Sequence, residues 1–225
     1  ITERAEEGFN AVTVRIPRPA TLTIAQASTV RREGKTTILE VYASAGEGAE
    51  AVAKAADYAA ARAAHIAAVK KAMARVGAAI DADGLSTQGF NFGLLHLEMA
   101  LPYDNPAVSV PIKGLTGEGY RFMVFWDTDF HMFPYYLFTN PTQARNLVLY
   151  RHGQLDAYRR FAAGWGYKGA QVPWETGITG EEETAPWLCL PEREIHISAD
   201  VAYAVKLYDE LTHDPSLLLD AGAEI

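Results

Sequence analysis

The hydrophobic period of this chain changes near residue 46, and that change most limits what it folds into. Residues 9–43 alternate apolar with polar or small side chains and are rich in Val, Thr and Ile. Phe9, Val12, Val14 and Ile16 mark one run, ended by Pro17-Arg18-Pro19. Leu22 and Ile24 open a second, and Ile38, Leu39, Val41 and Tyr42 form a third after the turn signal Glu33-Gly34-Lys35. Two residues per repeat is strand spacing, with proline and glycine where turns belong. Three strands without a helix do not bury a sheet face alone, so the stretch reads as the edge of a larger β-domain.

Past the glycines at 46 and 48 the chain becomes alanine-rich. Residues 50–80 contain no proline, and alanine is the strongest helix former, so the spacing predicts one long helix. Its apolar face is thin, with Val52, Ile66, Val69, Met73 and Val76 set among alanines, as in a helix that lies on a surface or bridges two domains. Asp81, Asp83 and Gly84 end it. Leu85-Ser86-Thr87-Gln88 reads as the start of the next helix, whose dense apolar stretch from Phe90 stops at Pro102. Residues 125–138 and 142–163 read as two more helices, separated by Asn140-Pro141, with Pro134 kinking or shortening the first. Val201, Val205 and Tyr208 set a helix over 198–212, and another begins at Pro215. Between these lie loops at 103–124 and 164–194, rich in Gly, Trp, Tyr and charge. Loops that long inside a compact domain commonly carry function.

Composition removes several classes. With 28 acidic against 20 basic residues the chain carries a formal charge of −8, the wrong sign for a nucleic-acid surface. The lone Cys189 allows no internal disulfide and no zinc-type cysteine pair. No apolar run approaches the ~20 residues of a membrane span. The chain opens on Ile1 without the basic-then-apolar start of a secretory signal. The expectation is a soluble cytoplasmic protein whose first residue is not its natural start.

Two segments concentrate the chemistry: 113–129, KGLTGEGYRFMVFWDTD, and 167–175, YKGAQVPWE. Each sets a tryptophan beside a carboxylate at an expected loop–helix junction: Trp126-Asp127 and Trp174-Glu175. That pairing suits a sugar, since an indole stacks on the apolar C–H face of a pyranose while a carboxylate accepts bonds from two neighbouring hydroxyls. Glycine-rich flanks let the backbone approach a ligand. The competing reading of the first pair is a capping Asp127 and a core Trp126, and of Glu175 a plain surface acid. Two such pairs in one chain favour the sugar.

Other motifs carry less. Gly114, Gly117 and Gly119 do not have dinucleotide-fingerprint order, and Lys113 precedes the glycines where a phosphate-binding loop needs it after them. His131 and His196 lack a second histidine at i+4, so no metal site is expected. His196 reads as a ligand-orienting or buried residue, Glu181-Glu182-Glu183 as a solvated loop, and Cys189 as a passive apolar residue.

These motifs, with EIHISADVAY at 194–203, Tyr150-Arg151 and the closing Gly222-Ala223-Glu224-Ile225, resemble in their order the signatures of glycoside hydrolase family 65. The likeness covers roughly residues 86–225 and more loosely 9–43. The family contains inverting phosphorylases of maltose, trehalose, kojibiose and related α-glucosides, with some hydrolases. The resemblance implies a mainly α chain: a partial (α/α)6 barrel over 86–225, preceded by the last strands of a β-sandwich over 1–45 and a helical linker over 46–85. It further implies that Trp126 and Asp127 hold the glucosyl unit, and that Trp174 and Glu175 form a second wall near the acceptor subsite. Lys113, Arg121 and His196 lie within matched motifs without a defined role.

The mechanism so implied is inversion: a glutamic acid protonates the leaving oxygen while phosphate attacks the opposite face, giving β-glucose 1-phosphate. Phosphate is its own nucleophile, so no base carboxylate is required. The implied partners are an α-glucoside disaccharide and phosphate as co-substrate, with no cofactor or metal and a homodimeric full-length enzyme. The general-acid glutamate and the phosphate loop are expected beyond Ile225, so the chain reads as a segment of a longer enzyme. The alternatives are a family hydrolase that uses water and a truncated sugar-binding remnant without catalysis.

Overall fold

The computed structural model describes residues 2–6, 9–17, 21–46, 49–115, 119–191 and 193–225. Arg18 and Pro19 of the first break, and Gly117 and Glu118 of the glycine-rich loop, lie outside them. The chain is mainly helical, with an antiparallel sheet at its start, and divides into compact units at residues 1–70 and 71–225.

The first unit is built on a four-stranded meander of β1 (Thr2–Glu6), β2 (Phe9–Pro17), β3 (Thr21–Glu33) and β4 (Thr36–Ala45). Three of these follow the period-2 runs. The first is an addition to the sequence reading, because TERAE carries no apolar alternation. Between β3 and β4, Gly34 takes φ +61° in a two-residue turn, a backbone region that disfavours a β-carbon. The short helix α1 (Ala49–Lys54) packs on β3 and β4, and its Ala53 is buried, as are Ala25 and Ala27 of β3. Small residues here let helix and sheet approach closely.

The expected single helix over 50–80 is two. The ladder stops after α1 and restarts as α2 (Tyr58–Val76), where the Asp57 Oδ1 accepts from the Ala60 amide at 2.7 Å. An N-cap competes well with a continuous helix because no residue of α2 is buried to hold the ladder unbroken across the join. Helix α2 buries no side chain and ends before Gly77 at φ +63°.

In the second unit Asp83 caps α3 (Gly84–Ala100), its Oδ1 accepting from the Leu85 and Ser86 amides at 3.0 Å each. Helices α4 (Phe133–Thr139), α5 (Pro141–Gly153) and α6 (Leu155–Gly164) follow, and α7 (Ile197–Thr212) comes after the second long loop. The helix expected over 142–163 is divided at Gln154, after Gly153. Glycine lowers the cost of leaving the helix there.

Two apolar clusters form the core of this unit. The larger joins Phe133, Tyr136, Leu147, Val148, Val205, Tyr208 and Leu217. Burying each such side chain stabilises the fold by about 1.5–3 kcal/mol. The smaller joins Leu155, Tyr158, Val172, Ile197 and Val201, and on it rest the half-buried Trp126 and Trp174. The smaller cluster is therefore the floor of whatever the two tryptophans do.

Candidate functional site

The two Trp–carboxylate pairs are 48 positions apart in sequence and are drawn together by one backbone bridge. Val124 and Thr176 exchange amide–carbonyl hydrogen bonds at 3.0 Å in both directions. Trp126-Asp127 begins two residues after Val124, and Trp174-Glu175 ends immediately before Thr176. Only the first pair opens a helix. The second lies in a bend of the long loop just before the bridge, which departs from the expected loop–helix junction.

From Asp127 the chain enters a π turn, Thr128–Met132, before α4. Pro134 in the first turn of α4 has no N–H to give the carbonyl of Phe130, so the α ladder cannot be kept through this stretch. Thr128 anchors the turn by donating to the Val110 carbonyl at 2.8 Å. Asp127 makes no side-chain cap hydrogen bond, so the capping role is not the one the structure gives it.

Trp126 and Trp174 are each half-buried, so neither is simply core. His196 stands between them, its ring 5.0 Å from that of Trp126 and 6.0 Å from that of Trp174, both edge-on. Its Nδ1 lies 2.6 Å from Asp200 Oδ2 and its Nε2 3.6 Å from Glu194 Oε2. A carboxylate on Nδ1 fixes the ring's orientation. The ring is 42% exposed, so of the two readings of His196 the buried one does not hold. His131 also meets Trp126, with ring centroids 4.9 Å apart.

Glu175 is buried, and its carboxyl is pushed above the usual carboxylate range. Desolvation is the main cause, and the negative charges of Glu182 and Glu183 add to it against an opposing pull from Arg121. Nothing among the described residues hydrogen-bonds its oxygens. A buried acid with free oxygens can accept from a ligand hydroxyl.

The loop that presents Glu175 is braced by Glu182. Its carboxylate accepts from the amides of Trp174 at 2.7 Å, Glu175 at 3.2 Å and Thr184 at 2.8 Å, and from the Thr184 hydroxyl at 2.5 Å. The expected solvated acidic loop is thus corrected at its middle residue, because backbone amides compete with water for that carboxylate. The same loop folds tightly at Gly180, φ +81°, where a β-carbon would meet Gln154 and Ala157 of the α5–α6 region at under 3 Å.

Of the remaining candidates, Lys113 sits with its Nζ 5.3 Å from the Tyr120 ring, which meets Phe125 edge-on, and Phe125 meets Trp174. Arg121 donates to the Glu183 carbonyl at 2.6 Å and reaches Glu175 only through its charge. It also borders a cavity of about 670 Å³ lined by Leu101, Phe122 and Tyr150, which includes neither Trp–carboxylate pair. Tyr120, Arg121 and Phe122 are all left-handed, at φ 60°, 46° and 61°, so this bend carries backbone strain. Cys189, read as a passive apolar residue, is exposed and lies at φ 51° just past a short 3-10 turn. Among the described residues no group of three His, Cys, Asp or Glu is placed to hold a metal.

Residues 91–225, which include all seven candidate residues, match the model of the glycosyl hydrolase family 65 central catalytic domain. The chain belongs to that family. A kojibiose phosphorylase of Caldanaerobacter subterraneus subsp. tengcongensis is 42% identical over 171 residues, covering 72% of this chain and 22% of that protein. An alpha,alpha-trehalose phosphorylase of Thermoanaerobacter brockii is 41% identical over 146 residues, covering 65% of this chain and 18% of that one. The chain thus spans about a fifth of the length of these family 65 relatives. A solved structure, "Putative kojibiose phosphorylase from human microbiome", superposes with TM-score 0.69 over 99% of this chain and 34% of its own, at 18% identity, a likeness of fold alone.

Proposed function

We propose that this chain is part of an inverting disaccharide phosphorylase, cleaving an α-glucosidic bond with phosphate to give β-glucose 1-phosphate. The observation that carries the reading is the Val124–Thr176 bridge, which joins the segments bearing two tryptophans and two carboxylates; the carboxylates have no hydrogen-bond partner among the described residues, and one oriented histidine meets both tryptophans. Aromatic faces supply an apolar wall for a pyranose ring, and carboxylates fix its hydroxyls. The phosphorylase names of the relatives favour phosphate over water as nucleophile.

In this reading Trp126 and Asp127 hold the glucosyl unit being cleaved, while Trp174 and Glu175 close the pocket toward the acceptor. His196 lines it, Lys113 supports it through Tyr120 and Phe125, and Arg121 acts on Glu175 through its charge. Residues 86–225 form part of an (α/α)6 barrel, residues 1–45 the end of a β-sandwich and residues 46–85 the linker. The acid that protonates the leaving oxygen is a glutamate outside this chain, and phosphate needs no base to activate it. The enzyme works in the cytoplasm as a homodimer, with no cofactor.

The test is incubation of the full-length protein with kojibiose or trehalose, with and without inorganic phosphate, followed by proton and phosphorus NMR. The β-anomer of glucose 1-phosphate, formed only with phosphate, is expected. Glucose released equally without phosphate would replace this reading by hydrolysis, and the α-anomer would end the claim of inversion.

A further inference from the structure

Among the described residues of the second unit, the most buried charge is fastened to the segments that carry the two Trp–carboxylate pairs. Arg151 of α5 is 1% exposed, and all five of its N–H groups are used. The Nε donates to Asp129 Oδ1 at 3.1 Å and the Nη2 to Asp129 Oδ2 at 2.5 Å. The Nη2 also reaches the Phe125 carbonyl at 3.3 Å, while the Nη1 donates to the Thr176 hydroxyl at 2.8 Å and the Tyr158 hydroxyl at 3.2 Å. Phe125 immediately precedes Trp126, and Thr176 immediately follows Glu175. One planar group therefore holds the backbone on one side of the gap and a side chain on the other.

We infer that Arg151, held by Asp129, is a positioning residue that fixes the separation of Trp126-Asp127 from Trp174-Glu175; the inference rests on the sugar-pocket reading above. An ion pair so deeply desolvated contributes less to stability than well-packed apolar side chains of the same volume commonly do. What it adds is geometry: the guanidinium is a rigid fork whose contacts are spaced by its own covalent frame. Lysine has a single point charge with rotatable donors and cannot span the same set. The role differs from that of Asp127 and Glu175, since Arg151 meets no sugar and acts through the segments it fastens.

The variant that isolates this role is Thr176→Val, which removes one acceptor of Arg151 and keeps the backbone bridge to Val124. Steady-state phosphorolysis by the full-length protein, well below its melting temperature, is expected to lose on the order of 10- to 100-fold in kcat, the scale of a misplacement near 1 Å. Thr176→Ser, which retains the hydroxyl, is expected to restore wild-type kcat and KM. The double variant Thr176→Val/Glu175→Gln is expected to lose less than the product of the single losses, because both act on one wall of the pocket. Should Thr176→Val not fold, Arg151→Lys gives the same reading, with kcat lowered and not rescued by added stability. Wild-type kcat and KM in Thr176→Val or in a folded Arg151→Lys, while Glu175→Gln depresses turnover, would make Arg151 structural only. Unchanged turnover in Glu175→Gln itself would overturn the sugar-pocket reading and this inference with it.

Discussion

Glu182 accepts the backbone amide of Trp174 at 2.7 Å, so one acid braces the loop that presents another. Its carboxylate gathers four donors, and removing it strands three amides of a half-buried loop. Glu182→Ala is expected to destabilise the fold by about 1.5–3 kcal/mol, the scale of hydrogen bonds to a charged group. Turnover should fall with it as Trp174 and Glu175 lose their placement. Denaturant unfolding beside steady-state kinetics of the full-length protein checks both.

Glu175 trades stability for its position. Its folded pKa lies above the unfolded value, through desolvation first and then repulsion by Glu182 and Glu183. The native state therefore binds the proton more tightly. Its stabilising share is present below the unfolded pKa and is lost as pH rises through the folded one. At neutral pH the ionised group costs stability, so Glu175→Gln should melt higher than wild type. That advantage should shrink as pH is lowered through the folded pKa. Turnover should nevertheless drop roughly 10- to 150-fold, the loss of a hydrogen bond to a charged acceptor. Melting curves recorded from about pH 4 to 8 test the sign.

Asp127 begins a helical segment without capping it. Asp127→Asn is accordingly expected to leave stability within about 0.5 kcal/mol of wild type. A fall in turnover of roughly 10- to 150-fold should accompany that unchanged melting. Calorimetry and kinetics on the same preparation separate the two effects, since parallel losses would mark a structural residue.

Burial pushes the Asp129 carboxyl upward, and the Arg151 guanidinium at 2.5 Å pulls it back. Arg151→Met leaves that acid buried and unpaired, a change worth about 3–5 kcal/mol of stability. Adding Asp129→Leu removes the orphaned charge and should return much of the lost stability. Turnover should not return with it. Chemical denaturation of the single and double variants measures the first part, and kinetics the second.

Much of the framework was legible because local pattern and tertiary packing agree there. Val201, Val205 and Tyr208 recur at helical spacing, and all three are buried in α7. Gly34 marks the hairpin turn because glycine reaches that φ without the cost a β-carbon brings. The breaks at Asp57 and Gln154 were hidden, since alanine-rich and amphipathic runs look continuous where a cap or glycine quietly wins. The site was legible by residue type alone. Trp126, Asp127, Trp174 and Glu175 stand out, but the bridge that joins them depends on two segments far apart in sequence. Glu182 was masked by flanking glutamates, and Arg151 by partners 22 to 26 positions away. No periodicity encodes contacts of that range.

The most direct measurement is a crystal structure of the full-length protein with glucose bound. One pyranose ring is expected against Trp126 or Trp174, with its hydroxyls within hydrogen-bond distance of both the Asp127 and Glu175 carboxylates. Glucose bound elsewhere, with those two carboxylates contacting only protein and water, would contradict the sugar-pocket reading.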